Sequence, residues 1–291
     1  MAGSQKVSRI HVTVQTKAKS LLQYAHWDIA VAQRIMEEKI EFMGLAFDNL
    51  TIDELMLKFD FAIQNKSLLK VFTPNVALLI WSRHDAFLKK AFSTCEVLTI
   101  DGQAIYYAMK MLRLPVKATL SPSIFYHPML NHFEKNSYRL YLVGAKATTV
   151  EKNADYLKAN HPGIELVGWH HGYFDVDDPP KPLLEDIRDR KPDIVLVGMT
   201  TPLKEKFIFR YAETMGASIC IGVGGMFDII AGEAKYAPAI VRKHALEWLF
   251  RLVQEPRRLW WRYLSTNTEF LWLMLIELFK RYTPKSLTKI K

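Results

Sequence analysis

The sequence contains little cysteine. Cys95 and Cys220 are the only two among 291 residues, and each lies within or beside an apolar run. Two separated cysteines suggest reduced core residues rather than a disulfide framework or a metal site, as in cytoplasmic proteins. The stretch from Met1 to Lys17 is polar and lacks the apolar segment of a secretory signal. Both absences predict a cytoplasmic protein.

Two common cofactor motifs are also missing. The glycine-rich segment 222–227 ends in phenylalanine where the G-x-G-x-x-G fingerprint requires glycine, so a nicotinamide cofactor is not expected. His161, His170 and His171 have neither H-x-x-x-H spacing nor a nearby cysteine, so we expect solvated loop histidines rather than metal ligands. No Asp-x-Asp motif lies at a predicted strand end. We therefore expect no cofactor and no bound metal.

What the sequence does contain is a regular alternation of strand-like and helix-like segments. This alternation predicts an α/β fold, a Rossmann-like and mostly parallel sheet with helices on both faces. Thr51 and Glu54 form a capping box before the first helix of the core. The predicted strands are 42–47, 69–73, 96–100, 139–144, 164–169, 194–198 and 217–222. The predicted helices are 52–64, 76–92, 148–159, 183–189 and 204–215, with another after Gly102 and a loop at 119–126.

In this interpretation the chain has three parts. An N-terminal helical extension covers residues 1–40, the Rossmann-like core covers 41–238, and a basic C-terminal appendage covers 239–291. Apolar residues at roughly helical spacing over 18–36 predict an amphipathic helix. Such a helix packs on the core, pairs with a second subunit in a homo-oligomer, or lies on a membrane. Packing on the core is the simplest of these alternatives.

Positive charge is concentrated in the appendage. It holds 11 Lys and Arg against 4 Glu, which is seven of the nine net positive charges of the chain. Leucine and tryptophan lie at helical spacing among these cations, a composition typical of a membrane-associating helix on an anionic lipid surface. The apolar run 270–279 has 10 residues, whereas a helix needs about 20 to span a bilayer. We therefore predict peripheral association with the cytoplasmic face of the inner membrane. No nucleic-acid-binding motif accompanies the charge.

The segment 96–102 ends an apolar, β-branched run with Asp101 and Gly102. It predicts a buried strand and a tight turn, which places the Asp101 carboxylate at the strand's carboxyl end, where open α/β sheets bind ligands. Because Gly102 lets a substrate approach closely, Asp101 is a candidate general base. The alternative is an ordinary turn residue or a helix N-cap.

Other predicted strand ends carry polar groups toward the same edge. Thr73 and Asn75 offer a hydroxyl and an amide. Gly144 and Lys146 bring backbone N–H groups and an ammonium, which suit a phosphate, although a simple left-handed turn also explains the glycine.

Two later loops also follow predicted strands, and each has a structural or a ligand-binding interpretation. In the segment 200–205, Thr201 suits an N-cap and Pro202 suits the first turn of a helix. The segment 222–228 resembles a loop that cradles a phosphate.

Many of these motifs occur together in a characteristic order. They are Thr73-x-Asn75, Asp101-Gly102, Gly168 to Phe174, Pro202-x-x-Glu205, Gly222-Val223-Gly224-Gly225-x-Phe227-Asp228, Ala231-Gly232, Ala237-Pro238, Leu246-Glu247-Trp248-Leu249-x-Arg251-Leu252 and Glu255-Pro256-x-Arg258. In this order the chain resembles the WecG/TagA/CpsF glycosyltransferases, glycosyltransferase family 26, over roughly residues 40–263.

The resemblance implies a peripheral membrane enzyme. It would transfer a hexose, N-acetylhexosamine or uronic acid from a UDP-sugar to an undecaprenyl diphosphate-linked saccharide, with inversion and without a metal. Asp101 would be the general base, Thr73 and Asn75 would contact donor or acceptor, and arginines of the appendage would meet the diphosphate. Together, the residues and the resemblance give these further candidate substrate contacts: Gly102, Gly144, Lys204, Glu205, Gly222, Gly224, Gly225, Asp228, Arg251 and Arg258.

The chain departs from the family pattern at three places. Segment 117–121 reads Lys-Ala-Thr-Leu-Ser where the family has Glu-Arg-Val-x-Gly. Lys204 replaces the glutamine of Pro-x-Gln-Glu, and Tyr236 replaces the arginine of Arg-Ala-Pro. Lys204 is a candidate to supply the cation that is missing near Thr119. These departures leave open a second hypothesis, a non-catalytic protein that binds nucleotide sugars or acts as a scaffold in polysaccharide assembly.

Overall fold

A computed structural model of the protein describes residues 35, 37–238, 241 and 247–282. The amphipathic helix predicted over 18–36 lies outside the described residues except for Ile35.

The central feature is a six-stranded parallel sheet in the order β4-β3-β8-β7-β5-β6, beside a separate two-stranded antiparallel sheet of β1 and β2. The strands are β1 (Lys39–Phe42), β2 (Leu45–Asp48), β3 (Leu69–Phe72), β4 (Val97–Leu98), β5 (Arg139–Gly144), β6 (Glu165–His170), β7 (Ile194–Gly198) and β8 (Ile219–Gly222). Every residue of β7 is buried, as expected for a central parallel strand covered on both faces. The predicted Rossmann-like α/β sheet is confirmed.

Helices surround this sheet. Those of the described residues are α1 (Ile52–Gln64), α2 (Val76–His84), α3 (Ala86–Thr94), α4 (Gln103–Met111), α5 (Pro122–Lys135), α6 (Ala147–Asn160), α7 (Lys181–Arg190), α8 (Leu203–Met215), α9 (Met226–Ile230), α10 (Glu247–Gln254) and α11 (Pro256–Tyr282). The predicted capping box is present at α1, where the Thr51 hydroxyl accepts from Glu54 N–H and the Glu54 carboxylate accepts from Thr51 N–H.

The apolar core divides into two clusters, one on each face of the sheet. In β5, Leu140 and Leu142 belong to one cluster, while Tyr141 and Val143 belong to the other. This alternation follows from the two-residue period of a strand and shows that helices cover both faces. Burial raises the pKa of the Cys95 and Cys220 thiols to about 12, so both are neutral core residues, as predicted.

The strand predicted over 42–47 is wrong, because this segment turns back on itself. Met43 and Gly44 both have positive φ, 48° and 85°, which makes the tight two-residue turn of a β-hairpin. β1 and β2 pair from Lys39 opposite Asp48 to Phe42 opposite Leu45. The hairpin contacts the outer edge of β4.

Two other predictions also need correction. The helix expected over 76–92 is two helices, because Asp85 adopts an extended backbone and its carboxylate caps α3 by accepting from Phe87 and Leu88 N–H. The loop expected over 119–126 ends at Ser121, where α5 begins with a proline in its first turn. A proline at that position suits a helix start, and the serine and proline content was mistaken for a loop signal.

Two helices of the appendage, α10 and α11, lie within residues 247–282, and α11 packs along α2. Phe270 and Met274 are buried in the core, and the Phe270 ring meets Phe42 edge-on at 6.5 Å. Glu269 binds His84 at the end of α2, with Nε2 to Oε1 at 2.8 Å. Among the helices that the structure describes, none combines the length and apolarity required to cross a membrane.

Candidate active site

The pairing register aligns the carboxyl ends of the parallel strands. Leu98 of β4 lies opposite Phe72 of β3, and Val197 of β7 lies opposite Gly222 of β8. All six strands point the same way, so the segments that follow them emerge at one edge of the sheet. This carboxyl edge is where open α/β sheets bind ligands.

Strand order decides which predicted residues come together there. Asp101 follows the outermost strand β4, Thr73 and Asn75 follow the adjacent β3, and the loop 222–225 follows β8. With neighbouring strands about 4.8 Å apart, this loop lies about 10 Å from the Asp101 strand. Gly144, at the end of β5, is four strands away, or about 19 Å.

Asp101 lies just beyond the paired part of β4. Thr99 N–H still donates to Phe72 O at 2.9 Å, Ile100 is buried, and Asp101 itself is partly exposed. The N-cap of α4 is Gly102, so the alternative of Asp101 as a helix N-cap is wrong. Gly102 has a φ of +93°, and a Cβ at this position would meet no atom within 4 Å. Open space therefore lies beside the backbone of Gly102, the residue that follows Asp101.

Thr73 and Asn75 extend the site along β3. Thr73 is buried. Asn75 caps α2 through its side-chain Oδ1, which accepts from Leu78 N–H at 3.2 Å. The amide oxygen is therefore engaged in the fold, and the Nδ2 amino group is the part of Asn75 that suits a ligand acceptor.

At the end of β7, Lys204 and Glu205 form a buried ion pair. Their side chains are 7% and 0% exposed, and the Lys204 ammonium also donates to Thr201 Oγ1 at 2.8 Å. Glu205 Oε2 is buried and has no hydrogen-bond partner within the described part of the chain. Pro202 occupies the N-cap of α8, so the prediction of Thr201 as N-cap is wrong. The Thr201 hydroxyl instead accepts a hydrogen bond from the Lys204 ammonium.

The Lys204 side chain lies against the glycine loop after β8. A Cβ on Gly222 would come within 3.0 Å of Lys204 Cδ, and one on Gly224 would lie 4.0 Å from Lys204 Cε. Gly222 therefore makes room for the lysine stem, and Gly224, with a φ of +52°, turns the chain above it. Gly225 then forms the N-cap of α9.

Asp228 lies in α9, and the loop that follows is clamped to α6. Glu233 N–H donates to Asp228 O at 2.8 Å, and the Glu233 carboxylate accepts from the Thr149 hydroxyl at 2.9 Å. That hydrogen bond, with the Lys152 ammonium, lowers the pKa of Glu233 despite the opposing desolvation. Asn153 Nδ2 donates to Phe227 O at 2.8 Å. The sequence did not reveal the contacts of Glu233 with α6, because the partners are about 80 residues apart in the chain.

Gly144 has a packing explanation in the structure. Its φ is +145°, and a Cβ would lie 2.5 Å from the backbone carbon of Gly198. Gly172 packs on Gly144 in turn, since its Cβ would lie 2.8 Å from Gly144 Cα. Close backbone approach therefore requires glycine here, and a ligand contact at Gly144 stays a prediction.

The three histidines are placed differently from one another. His161 is buried, with Nδ1 3.0 Å from Glu134 Oε2, so the prediction of a solvated histidine is wrong there. This hydrogen bond lowers the pKa of Glu134. His170 ends β6, and its Nδ1 donates to His171 O at 2.6 Å. No cluster of three or more potential metal ligands occurs among the residues described.

The comparison with protein families settles which proteins this chain is related to. The model of the glycosyl transferase WecG/TagA/CpsF family matches residues 40–284, from the hairpin to the end of α11. The chain belongs to this family. It is therefore a glycosyltransferase, and the hypothesis of a non-catalytic binding or scaffold protein is set aside.

Relatives with a stated activity support the same assignment. The chain is 28% identical to N-acetylglucosaminyldiphosphoundecaprenol N-acetyl-beta-D-mannosaminyltransferase of Staphylococcus aureus strain MW2, over 79% of this chain and 91% of the relative. The enzyme of the same name from strain NCTC 8325 has the same identity and coverage, and that from strain MRSA252 is 27% identical.

One departure from the WecG/TagA/CpsF pattern now has a structural explanation. Where the family has Glu-Arg, this chain has Lys117 and Ala118, and the Lys117 ammonium lies 3.0 Å from carboxylate oxygens of both Glu38 and Glu54. Burial alone would raise the pKa of Glu54, but the Thr51 N–H and Lys117 outweigh it and lower the pKa. Lys117 thus ties Glu38, just before β1, to α1.

The two appendage arginines of the predicted site are placed only by their backbones. Arg251 lies in α10 and Arg258 in the first turn of α11, and their side chains lie outside the described part of the structure. α11 passes the carboxyl end of α2 at Glu269, and its last turns lie beside Met43 and Leu114. Since α11 packs along α2, we expect its first turns to lie toward the amino end of α2. That end is capped by Asn75, at the carboxyl edge.

Proposed function

We propose that the protein transfers a hexose, N-acetylhexosamine or uronic acid from a UDP-sugar to a saccharide linked to undecaprenyl diphosphate, in bacterial surface polysaccharide synthesis. The observation that carries the proposal is the placement of Asp101 at the carboxyl edge of the sheet, before Gly102 with its open surroundings and on the strand next to the one that leads to Thr73 and Asn75. The relatives support the proposal, because their names state an acceptor linked to undecaprenyl diphosphate and a sugar that is transferred to it.

In this mechanism Asp101 takes the proton of the acceptor hydroxyl. The hydroxyl oxygen forms a bond to the anomeric carbon while the bond from that carbon to UDP breaks on the opposite face, which inverts the configuration. One carboxylate is sufficient for this displacement, whereas retention through a covalent intermediate needs a second acidic group as nucleophile. The proton ends on Asp101, and the electron pair leaves with UDP.

The departing diphosphate needs positive partners. Backbone N–H groups of the loop 222–225, the Lys204 ammonium and the appendage residues Arg251 and Arg258 are the proposed partners, with Gly102, Asp228 and Glu205 lining the donor site. Donors fixed in place before the reaction stabilise developing charge without the cost of reorganisation. Lys204 is already held in place by Thr201 and by its partner Glu205.

We further propose that one face of α11 binds the cytoplasmic face of the membrane. On one face Leu259, Thr266, Phe270 and Met274 are buried, and Phe270 and Met274 belong to the core. The opposite face exposes large apolar side chains at intervals of three, four or eight residues, all of which return to the same side of a helix; these are Trp261, Leu264, Trp272, Leu275 and Phe279. Lysine and arginine in the last turn, at 280 and 281, complement anionic lipid. Bringing the enzyme to the surface raises its effective concentration toward a lipid-linked acceptor.

The sugar and the reaction are tested together with a panel of UDP-sugars and an undecaprenyl diphosphate-linked N-acetylglucosamine acceptor. We expect one donor to give UDP and a product heavier by that sugar residue in mass spectrometry, with the β linkage from an α-linked donor in NMR spectra. UDP release without a heavier lipid product indicates hydrolysis and contradicts the proposal, as does retention of configuration.

The membrane face is tested by sedimentation with vesicles. Replacing Trp261, Trp272 and Phe279 by alanine should abolish binding to vesicles that contain anionic lipid. The control replaces two exposed aromatic residues elsewhere, Tyr107 and Trp169, and should leave binding unchanged. Equal binding by both variants would contradict a lipid-binding role of α11.

A further inference from the structure

A second buried ion pair lies outside the residues of the proposed site. Asp48, at the end of β2, and Lys58, on α1, are 2% and 4% exposed, and Lys58 Nζ lies 2.6 Å from Asp48 Oδ1. Lys39 approaches the other oxygen, Oδ2, at 3.3 Å. Removing two charges from water is expensive, and the attraction between them often fails to recover that cost. A role in simply filling the core would be met better by apolar residues.

The Asp48 carboxylate also binds the strand that leads to Asp101. Its Oδ2 accepts from Leu98 N–H at 2.9 Å, across 50 residues of sequence. β4 is the edge strand of the sheet, and Thr99 N–H faces inward to Phe72 O, so Leu98 N–H faces the outer side, where no strand of the six-stranded sheet lies. Asp48 thus supplies the acceptor that a neighbouring strand would otherwise provide.

The outer side of the same segment is held at a second point. Leu120 N–H donates to Ile100 O at 2.8 Å, and the Thr119 hydroxyl donates to the same oxygen at 3.0 Å. Asn49, the residue after Asp48, binds the chain shortly before Thr119. Its Oδ1 accepts a hydrogen bond from Lys117 N–H at 2.8 Å.

Asn49 also donates from Nδ2 to Pro115 O at 2.9 Å, so the pair Asp48-Asn49 binds the chain on both sides of α4. Leu98 lies a few residues before α4 in the chain, and Pro115 lies a few residues after it. Asp101 lies between these two attachments, at the point where the chain leaves the sheet. Its position is therefore set from outside the sheet by the hairpin and α1.

Resting on the proposed role of Asp101, we propose that Asp48, fixed by Lys58, is a positioning residue for the general base. It acts through the hydrogen bond to Leu98 N–H and does not touch substrate. A carboxylate in a salt bridge to a buried lysine has a fixed orientation, so this acceptor holds Leu98 more firmly than a mobile side chain would. Displacing a reacting group by about 1 Å can cost 100-fold in rate, so small movements of this segment matter.

Two double variants separate the hydrogen bond from the charges. Asp48→Asn with Lys58→Met removes both charges but keeps a side-chain acceptor for Leu98 N–H. Asp48→Ala with Lys58→Met removes both charges and the acceptor. We expect the alanine variant to lose at least tenfold in kcat with donor KM within twofold of wild type, and the asparagine variant to keep kcat within about threefold.

Hydrogen exchange provides a readout that does not depend on activity. Amides of the segment 97–103 should exchange faster in the alanine variant than in the asparagine variant, while those of β7 remain alike. Equal exchange at 97–103 in both variants overturns the proposal, as does a kcat that is equal in both after correction for the folded fraction. If Asp101→Asn retains activity, the proposed function fails, and the exchange result still decides whether Asp48 anchors the segment.

Discussion

Glycine serves opposite purposes at the two ends of the carboxyl edge. Beside Asp101, at the β4 end, Gly102 faces open space and is required by its backbone conformation alone. Toward β5 and β7, Gly144 and Gly198 are required because neighbouring groups leave no room for a Cβ. A glycine after a strand is therefore not in itself a sign of a ligand site. The difference predicts that substitutions near β4 affect catalysis whether or not they affect stability, whereas those near β5 and β7 affect stability alone.

The largest effect is expected at the β4 end, from Asp101→Asn. This change removes the base but keeps the size of the side chain, so kcat should fall by about 1,000-fold, within the range for loss of general base catalysis. The melting temperature and UDP-sugar affinity should match wild type. Initial rates of UDP release and calorimetry measure these quantities. A variant with more than a tenth of wild-type activity would remove Asp101 from this role.

The two glycine types are compared directly by Gly198→Ala and Gly102→Ala. At Gly198 the added Cβ would overlap the buried Phe227 ring, which should cost about 1–3 kcal/mol of unfolding free energy. At Gly102 the strained backbone should cost a similar amount, about 1–3 kcal/mol. Urea unfolding measures both values.

Activity per folded molecule should separate the same two variants. We expect kcat to fall at least tenfold in Gly102→Ala, because Asp101 is adjacent, and to stay within twofold in Gly198→Ala. If both variants lose stability and neither loses kcat, the division of the edge into a catalytic and a packing half is wrong.

Lys204 follows β7, but its side chain lies against the loop after β8, so the variant Lys204→Gln tests whether the buried pair acts in catalysis or in packing. A charged hydrogen bond to a ligand is worth about 1.5–3 kcal/mol, so its loss should raise the KM for the UDP-sugar by tenfold or more. We expect kcat to change less than threefold, and titration calorimetry with UDP to show the same loss of affinity. An unchanged KM with reduced stability would place Lys204 in the packing half.

The smallest effect is expected far from Asp101, at Asp186 on α7. Burial alone would raise the pKa of Asp186, but the Tyr141 hydroxyl at 2.7 Å and the Arg190 guanidinium outweigh it and lower the pKa. A carboxylate whose pKa is lowered by folding stabilises the protein above its unfolded pKa of about 3.9 and loses this contribution as pH falls through the folded value.

Asp186→Asn should therefore unfold with a weaker dependence on pH below about 4 than wild type. The side chain is 40% exposed, so the difference should be only a few tenths of a kcal/mol, and kcat at neutral pH should be unchanged. Urea unfolding from pH 3 to 7 measures it. A large loss of kcat would mean that the β5 half takes part in the reaction after all.

Much of the core could be predicted from local sequence. β5 and β7 begin and end where apolar periodicity placed them, because strands buried on both faces are continuous apolar runs. The capping box of α1 was predictable because its two residues are three positions apart. The hairpin was missed because Phe42 to Phe47 is apolar on both sides of its turn, and only the positive φ of Met43 and Gly44 distinguishes it from one strand.

The sequence by itself determined the parallel α/β architecture, the carboxylate at a strand end and the basic, aromatic appendage, since each depends on residues that are near one another in the chain. Only the tertiary structure decided that Gly102 rather than Asp101 caps α4, that Lys204 is buried against Glu205, and that Asp48 holds the strand before Asp101. The Asp48 contact spans 50 residues, and Lys204 packs against the glycine loop of another strand, so these environments are set by what folding brings together. The cap of α4 is local in the chain, but the backbone angles that decide it are not written in the residue types Asp and Gly.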